Sequence, residues 1–164
     1  MALTQRKRAL ARRALTLAER GLRRKLPAYA AAFAVPETEW TKQGSGTDLV
    51  RLYWNADEVL GLFAKGTERL ERRGLHLLLH GIYLHALRGG GRTERIWWLA
   101  CDLMTEYRID RMQVPGFERP IPGERSRWYQ RIREEKVRFR EGALAGWLTG
   151  LEPCVLEELE KIFR

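Results

Sequence analysis

All three histidines of this 164-residue chain lie in one stretch, Leu75–His85, which reads Leu-His-Leu-Leu-Leu-His-Gly-Ile-Tyr-Leu-His. His76 and His80 are four apart, so a helix carries both on one face. That is the spacing by which zinc hydrolases grip a metal with two imidazoles from one helix. In those enzymes the residue after the first histidine is a glutamate, which takes a proton from the metal-bound water and passes it to the leaving group. Here that position is Leu77, which can neither accept nor donate a proton. Losing general-base help costs about 10²–10⁴-fold in rate, so the pattern predicts little or no proteolysis. The same pair on a leucine-rich helix also fits plain core packing. His85 lies about 180° round an unbroken helix from His76, and a break near Gly81 would bring it closer.

The elements that must position these residues are mostly helical. Leu10, Ala14, Leu15, Leu17, Ala18, Leu22 and Leu26 recur at helical spacing and predict a helix over 4–34, broken or kinked at Pro27. Residues 36–48 read as a connector with a turn at Gly44-Ser45-Gly46. Val50, Leu52 and Trp54 alternate with Arg51 and Tyr53, which predicts a strand over Leu49–Trp54. Asn55 is placed to cap a short helix ending at Leu60 or Phe63. The histidine helix begins at or near Thr67, buries Leu70, Leu75, Leu78, Leu79, Ile82 and Leu87, and stops at Gly89-Gly90-Gly91. Thr93 then caps a helix from Glu94 to about Asp110. Three prolines mark Gln113–Gly123 as a loop, followed by a charged helix over 125–141 and a last helix over 153–163. A lone strand is unstable, so a second short strand is expected, for example after Gln113. The fold class is α+β, predominantly helical, with a small sheet and a central motif helix.

Composition narrows the function classes. Hydrophobic residues make up 45% of the chain, enough for a packed core rather than disorder. No run of 18 apolar residues occurs, so no membrane-spanning helix is expected. The N-terminus lacks the apolar stretch of a secretory signal. Cys101 and Cys154 form no Cys-x-x-Cys pair, which argues against a cysteine zinc site and fits a reduced, cytoplasmic protein. The net charge is +9. It is concentrated in residues 1–25, where Arg6, Lys7, Arg8, Arg12, Arg13, Arg20, Arg23, Arg24 and Lys25 face Glu19 alone. Such a segment can meet nucleic acid, an acidic partner or an anionic surface, or simply be a solvated helix face. Within the arginine-rich stretch 125–140, Trp128 and Tyr129 could stack on bases.

The order of elements also resembles a known family. An extended Val50-Arg51-Leu52-Tyr53-Trp54-Asn55 precedes His76-x-x-x-His80-x-x-x-x-His85, then a glycine-rich loop, then Trp97-Trp98-Leu99-Ala100-Cys101-Asp102. This is similar to the zincin-like metallopeptidase domain found N-terminal to von Willebrand factor A-like domains in bacterial proteins associated with MoxR-type AAA ATPases. The resemblance covers about residues 10–125. It implies a zincin-like core, a zinc site formed by His76, His80 and Asp102 with His85 as alternative ligand, and protein partners such as an AAA ATPase or an A-domain protein. The family's glutamate falls on Leu77, and an asparagine common in the family falls on Glu106, a replacement ligand or base. The resemblance therefore implies a degenerate, catalytically inactive domain over 1–125 that binds or scaffolds, with a helical extension over 126–164 packed on it. A zinc hydrolase using a non-standard base and a basic nucleic-acid-binding module are the other two readings.

Overall fold

The computed structural model describes residues 2–29, 32, 37–48, 50–89, 94–118 and 120–163. The chain forms two compact units, 1–86 with 114–117, and 87–113 with 118–164. No helix among the described residues is long and apolar enough to cross a membrane.

The first unit begins with α1, Ala2–Lys25. Ala11, Ala14, Ala18 and Leu22 form its buried stripe. Their spacing of three and four is one helix face, and the small alanines let neighbouring helices approach closely. The helix is shorter than the predicted 4–34. Leu26 still donates its N–H to the Leu22 carbonyl at 2.7 Å, and Pro27 then opens a 3-10 turn, Pro27–Tyr29. Proline lacks the N–H that the next helical bond needs and disfavours the helical conformation of the residue before it. Most of the predicted Tyr29–Val35 continuation lies outside the described residues.

Strand β3, Arg51–Asn55, is the centre of a three-stranded sheet. On one side it pairs in parallel with β1, Glu37–Thr41, in a register that sets Trp40 opposite Trp54. On the other it pairs antiparallel with β2, Gly46–Thr47. The partner strands therefore come from the predicted connector and not from the segment after Gln113. Glu37-Thr38-Glu39-Trp40-Thr41 carries one large apolar residue, too little alternation to read as a strand. The predicted strand start at Leu49 is outside the described residues. Pairing begins at Arg51, because the Asp48 carboxylate accepts from the N–H groups of Val50 and Arg51 and holds a turn there.

Asn55 ends β3 and caps α2, Ala56–Ala64, as the sequence predicts. Its carbonyl oxygen accepts from Asp57 and Glu58. Its amide donates to the carbonyls of Lys42 and Gln43, so the same side chain fixes the preceding turn. Helix α3 then runs Thr67–Ile82. It stops well before the triple glycine, at Tyr83 and Leu84, and Leu84 sits in the left-handed region at φ 54°. Ile82 and Leu87, expected in the core, are 40% and 74% exposed. A four-residue helix α4, His85–Arg88, follows.

Helix α1 lies against α3 through a buried charge. Glu71 of α3 is buried, and Lys25 of α1 donates to its carboxylate. The carboxylate occupies the space that a side chain at Gly21 would need: a Cβ there would stand 2.0 Å from Glu71 Oε1. A side chain at position 21 would have to displace this carboxylate.

The second unit is helical. Helix α5, Glu94–Met112, is buried on most of its circumference. Its predicted cap, Thr93, is outside the described residues. The predicted charged helix over 125–141 is α6, Gly123–Glu134, which ends early, and a further helix not foreseen in the sequence, α7, runs Glu141–Thr149. The break contains Lys136 at φ 57°. Val137 and Phe139, which pack on the core, lie in this break and interrupt the helical period. Helix α8 spans Pro153–Phe163 as predicted. Trp97, Leu99, Leu103, Ile132, Leu144, Leu148, Leu159 and Phe163 are among the buried residues of this core. Trp128 and Tyr129, candidates for stacking on bases, belong to it. Tyr129 donates to Asp110 at 2.9 Å, and Trp128 meets the Trp147 ring edge-on. Neither ring presents a face for a base.

Alanine normally stabilises a helix interior by about 1 kcal/mol relative to glycine. Gly21→Ala is expected to do the reverse. Displacing the Glu71 carboxylate from Lys25 in a buried setting should cost on the order of 1–3 kcal/mol. Urea unfolding of Gly21→Ala alone and in a Glu71→Ala background checks this, since the loss should become a gain once the carboxylate is gone.

Candidate metal centre

Helix α3 has two faces with different chemistry. Taking His76 as the origin and about 100° per residue, Leu77 lies at about 100°, Gly74 at about 160° and Leu70 at about 120°. These face α1 and the sheet: Leu70 and Leu77 are in one apolar cluster with Ala11, Ala14, Ala18, Trp54 and Val59. His80 lies at about 40° by the same rotation, so the two histidines occupy the sector next to the apolar one, about 60–100° from Leu77. The residue at the position of the metallopeptidase glutamate is therefore a core residue, 4% exposed.

His76 and His80 are both buried, and their Nε2 atoms are 3.0 Å apart. Two ligands at about 2.0–2.1 Å from a tetrahedral zinc are separated by about 3.3 Å. The pair is thus close to the edge length of such a site, with the same nitrogen of each ring turned toward the other. The rings are 4.8 Å apart at their centroids.

His85 is also drawn in. The turn at Tyr83 and Leu84 breaks the helix, and His85 Nδ1 comes to 3.1 Å from His80 Nδ1. The two rings meet edge to face at 4.8 Å, and Tyr83 stacks over His85 at 5.9 Å. The predicted break therefore occurs, though at Leu84 rather than Gly81. It brings His85 to the other nitrogen of His80, on the side away from His76.

In the second unit, Asp102 and Glu106 are one turn apart on α5 and both buried. Asp110, a further turn along, is held by Arg125 at 3.0 and 3.3 Å and by the Tyr129 hydroxyl. Burial, then the charges of Asp110 and Glu106, push the Tyr129 hydroxyl well above its ordinary range. Cys101 is buried next to Asp102 in sequence, and burial with the charges of Glu141 and Asp102 raises its thiol likewise. A neutral thiol is a poor ligand and nucleophile, consistent with the absence of a cysteine metal motif. Both cysteines are free.

Comparison with protein-family models, curated proteins and solved structures finds no match to this chain.

The position of Leu77 gives a prediction. Leu77→Glu, which would restore the metallopeptidase pattern on paper, is expected to bury an unpaired carboxylate among apolar side chains. The expected cost is about 3–5 kcal/mol, with no peptide hydrolysis gained. Leu77→Met should cost less than about 1.5 kcal/mol. Thermal unfolding of both variants, with a casein-cleavage assay on whichever folds, tests the assignment; a stable, active Leu77→Glu protein would overturn it.

Proposed function

We propose that this chain is a degenerate zincin-like domain, catalytically silent, in which His76 and His80 hold a divalent metal ion of zinc type, with Asp102 as the carboxylate ligand that the family resemblance implies. The observation that carries the reading is the convergence of the two buried Nε2 atoms of His76 and His80. Two imidazoles and a carboxylate are a borderline donor set suited to zinc. A zinc ion bound there would supply Lewis acidity and a structural cross-link. The chain's own residues orient the imidazoles and keep bulk water from them. No proton acceptor follows His76, because Leu77 belongs to the apolar core. Glu106, a replacement base in the alternative hydrolase reading, is buried on α5 one turn from Asp102. The role left to such a domain is binding or scaffolding. By family resemblance its partners would be an AAA ATPase or a von Willebrand factor A-type protein.

Metal analysis of protein purified without chelator should find about one zinc per chain, lost in His76→Ala and Asp102→Asn, with no cleavage of casein or peptide mixtures. Failure to bind zinc or cobalt even when supplied would remove the metal from the reading. Metal-dependent hydrolysis would revive the hydrolase, with Glu106→Gln as the next variant.

A second reading has its own support. Arg6, Arg8, Arg12, Arg13, Arg20 and Arg24 are exposed on α1 and form no ion pair with another described residue. Elsewhere arginines are neutralised: Arg73 by Glu58, Arg95 by Glu160, Arg108 by Glu141 and Arg125 by Asp110. An uncompensated basic helix face suits the phosphates of nucleic acid. If it serves that role, replacing Arg6, Arg13, Arg20 and Arg24 by glutamine should weaken binding of a fluorescent duplex or single strand. It should also reduce the dependence of binding on salt concentration. Absence of binding at about 50 mM salt, where phosphate contacts are strong, would exclude it.

A further inference from the structure

The first unit carries an apolar cavity away from the histidines. It lies between α1, the sheet and α3, measures about 120 Å³, and has Leu22, Leu70 and the buried Trp54 among its walls. Its cause is local. Three of its lining positions carry little or no side chain: Ala18 on α1, Thr38 on β1 and Gly74 on α3. Thr38 stands opposite Leu52, and the next pair on that face of the sheet is Trp40 with Trp54. A threonine thus occupies a place whose neighbours are large and apolar. At Gly74 a Cβ would meet only Leu22 Cδ1, at 3.5 Å, an ordinary contact. A methyl group there would enter the space without displacing anything. Protein interiors are otherwise packed to the density of organic crystals, and side chains that face a void forgo dispersion contacts.

A second, more polar hollow adjoins the first and shares Leu15, Glu19 and Thr38 with it. It adds Arg12 and Thr16. Its acid is engaged, since Arg23 donates to Glu19 at 2.7 and 3.0 Å. Its cation is not: Arg12 is exposed and has no ion-pair partner among the described residues. We propose that the two hollows together bind a small amphipathic carboxylate, with its apolar group in the inner cavity beside Trp54 and its carboxylate on Arg12. The inner volume is near that of an engineered cavity of about 150 Å³ that admits benzene. This sets the apolar group at the size of a phenyl ring or a short branched aliphatic chain. A guanidinium takes a carboxylate through two parallel hydrogen bonds. A free organic acid and the apolar C-terminal residue of a peptide both offer this chemistry. The site uses neither the histidines nor a metal, so it stands or falls apart from the metal reading.

The test is a ¹H–¹⁵N chemical-shift titration of the full chain with hydrocinnamate, following the Trp54 indole N–H, which is assigned by its loss in Trp54→Phe. A ligand of this size is expected to saturate with a dissociation constant on the order of 0.1–1 mM. Hydrocinnamamide keeps the ring and lacks the charge, and should bind about 10-fold more weakly. Arg12→Gln should bring the acid down to the level of the amide. Gly74→Val puts methyl groups into the cavity and should abolish binding of both, with thermal unfolding at or above the wild-type temperature. If that variant does not fold, Gly74→Ala, a change that favours the helix, should weaken binding by about 4-fold. A tripeptide ending in phenylalanine that binds more tightly than hydrocinnamate assigns the carboxylate to a chain terminus; weaker binding assigns it to a free acid. Absence of a Trp54 shift with the acid in large excess overturns the proposal. So does equal binding of acid and amide, or binding that the Gly74 variants leave intact.

Discussion

The constraint on which the candidate site depends is the two-sidedness of α3. One face of this helix must fill the space between α1 and the sheet, and Leu70 and Leu77 do so with Trp54 and Val59. The adjoining sector carries His76 and His80 with their Nε2 atoms together. Because successive helical residues differ by about 100°, position 77 cannot be changed for chemistry without being changed for packing. A carboxylate there would leave water for an apolar cluster, which costs far more than a leucine's burial returns.

The same helix is also held to α1 by a charge. Glu71 is buried against the bare backbone of Gly21 and takes a hydrogen bond from Lys25. A buried ion pair is weak evidence of net stability, since desolvation offsets most of its attraction. Its effect is on register: the carboxylate takes up the room beside Gly21, so sliding α1 past α3 would uncover a charge. With Asn55 holding the β3–α2 junction and the Lys42–Gln43 turn through one amide, the first unit is fixed by a few polar side chains set into an otherwise alanine- and leucine-rich interior.

How much of this was legible follows the physics of each element. The long periodic helices, the Asn55 cap, the β3 segment and the i, i+4 histidine pair all announce themselves through local spacing. The break at Leu84 does not, because leucine carries no preference for a left-handed backbone and glycines nearby pointed elsewhere. As a result Ile82 and Leu87 were assigned to a buried face that the shortened helix does not have, and His85 looked remote from its partner. Strand β1 was hidden for a different reason: it has one large apolar residue, Trp40, and its pairing with β3 is a tertiary fact. Trp128 and Tyr129 show the converse error. Aromatics among arginines suggest a stacking surface, yet Arg125 is taken up by Asp110 and the tyrosine hydroxyl by the same carboxylate.

Arginine itself plays two roles in this chain, separated by what faces it. In the second unit Asp102, Glu106 and Asp110 of α5 and Glu141 of α7 are buried, and each of Asp110 and Glu141 draws in a guanidinium; these arginines serve the fold, since removing one would strand a buried charge. The one acid of α1, Glu19, is engaged by Arg23, and Asp57 of α2 by Lys7. The remaining cations repel one another along a rigid helix and contribute nothing to the core beneath them. A chain selected for stability alone would gain from replacing some of them with glutamates at i, i+4. The exposed arginines of α1 thus differ from those of the second unit in having no ion-pair partner among the described residues.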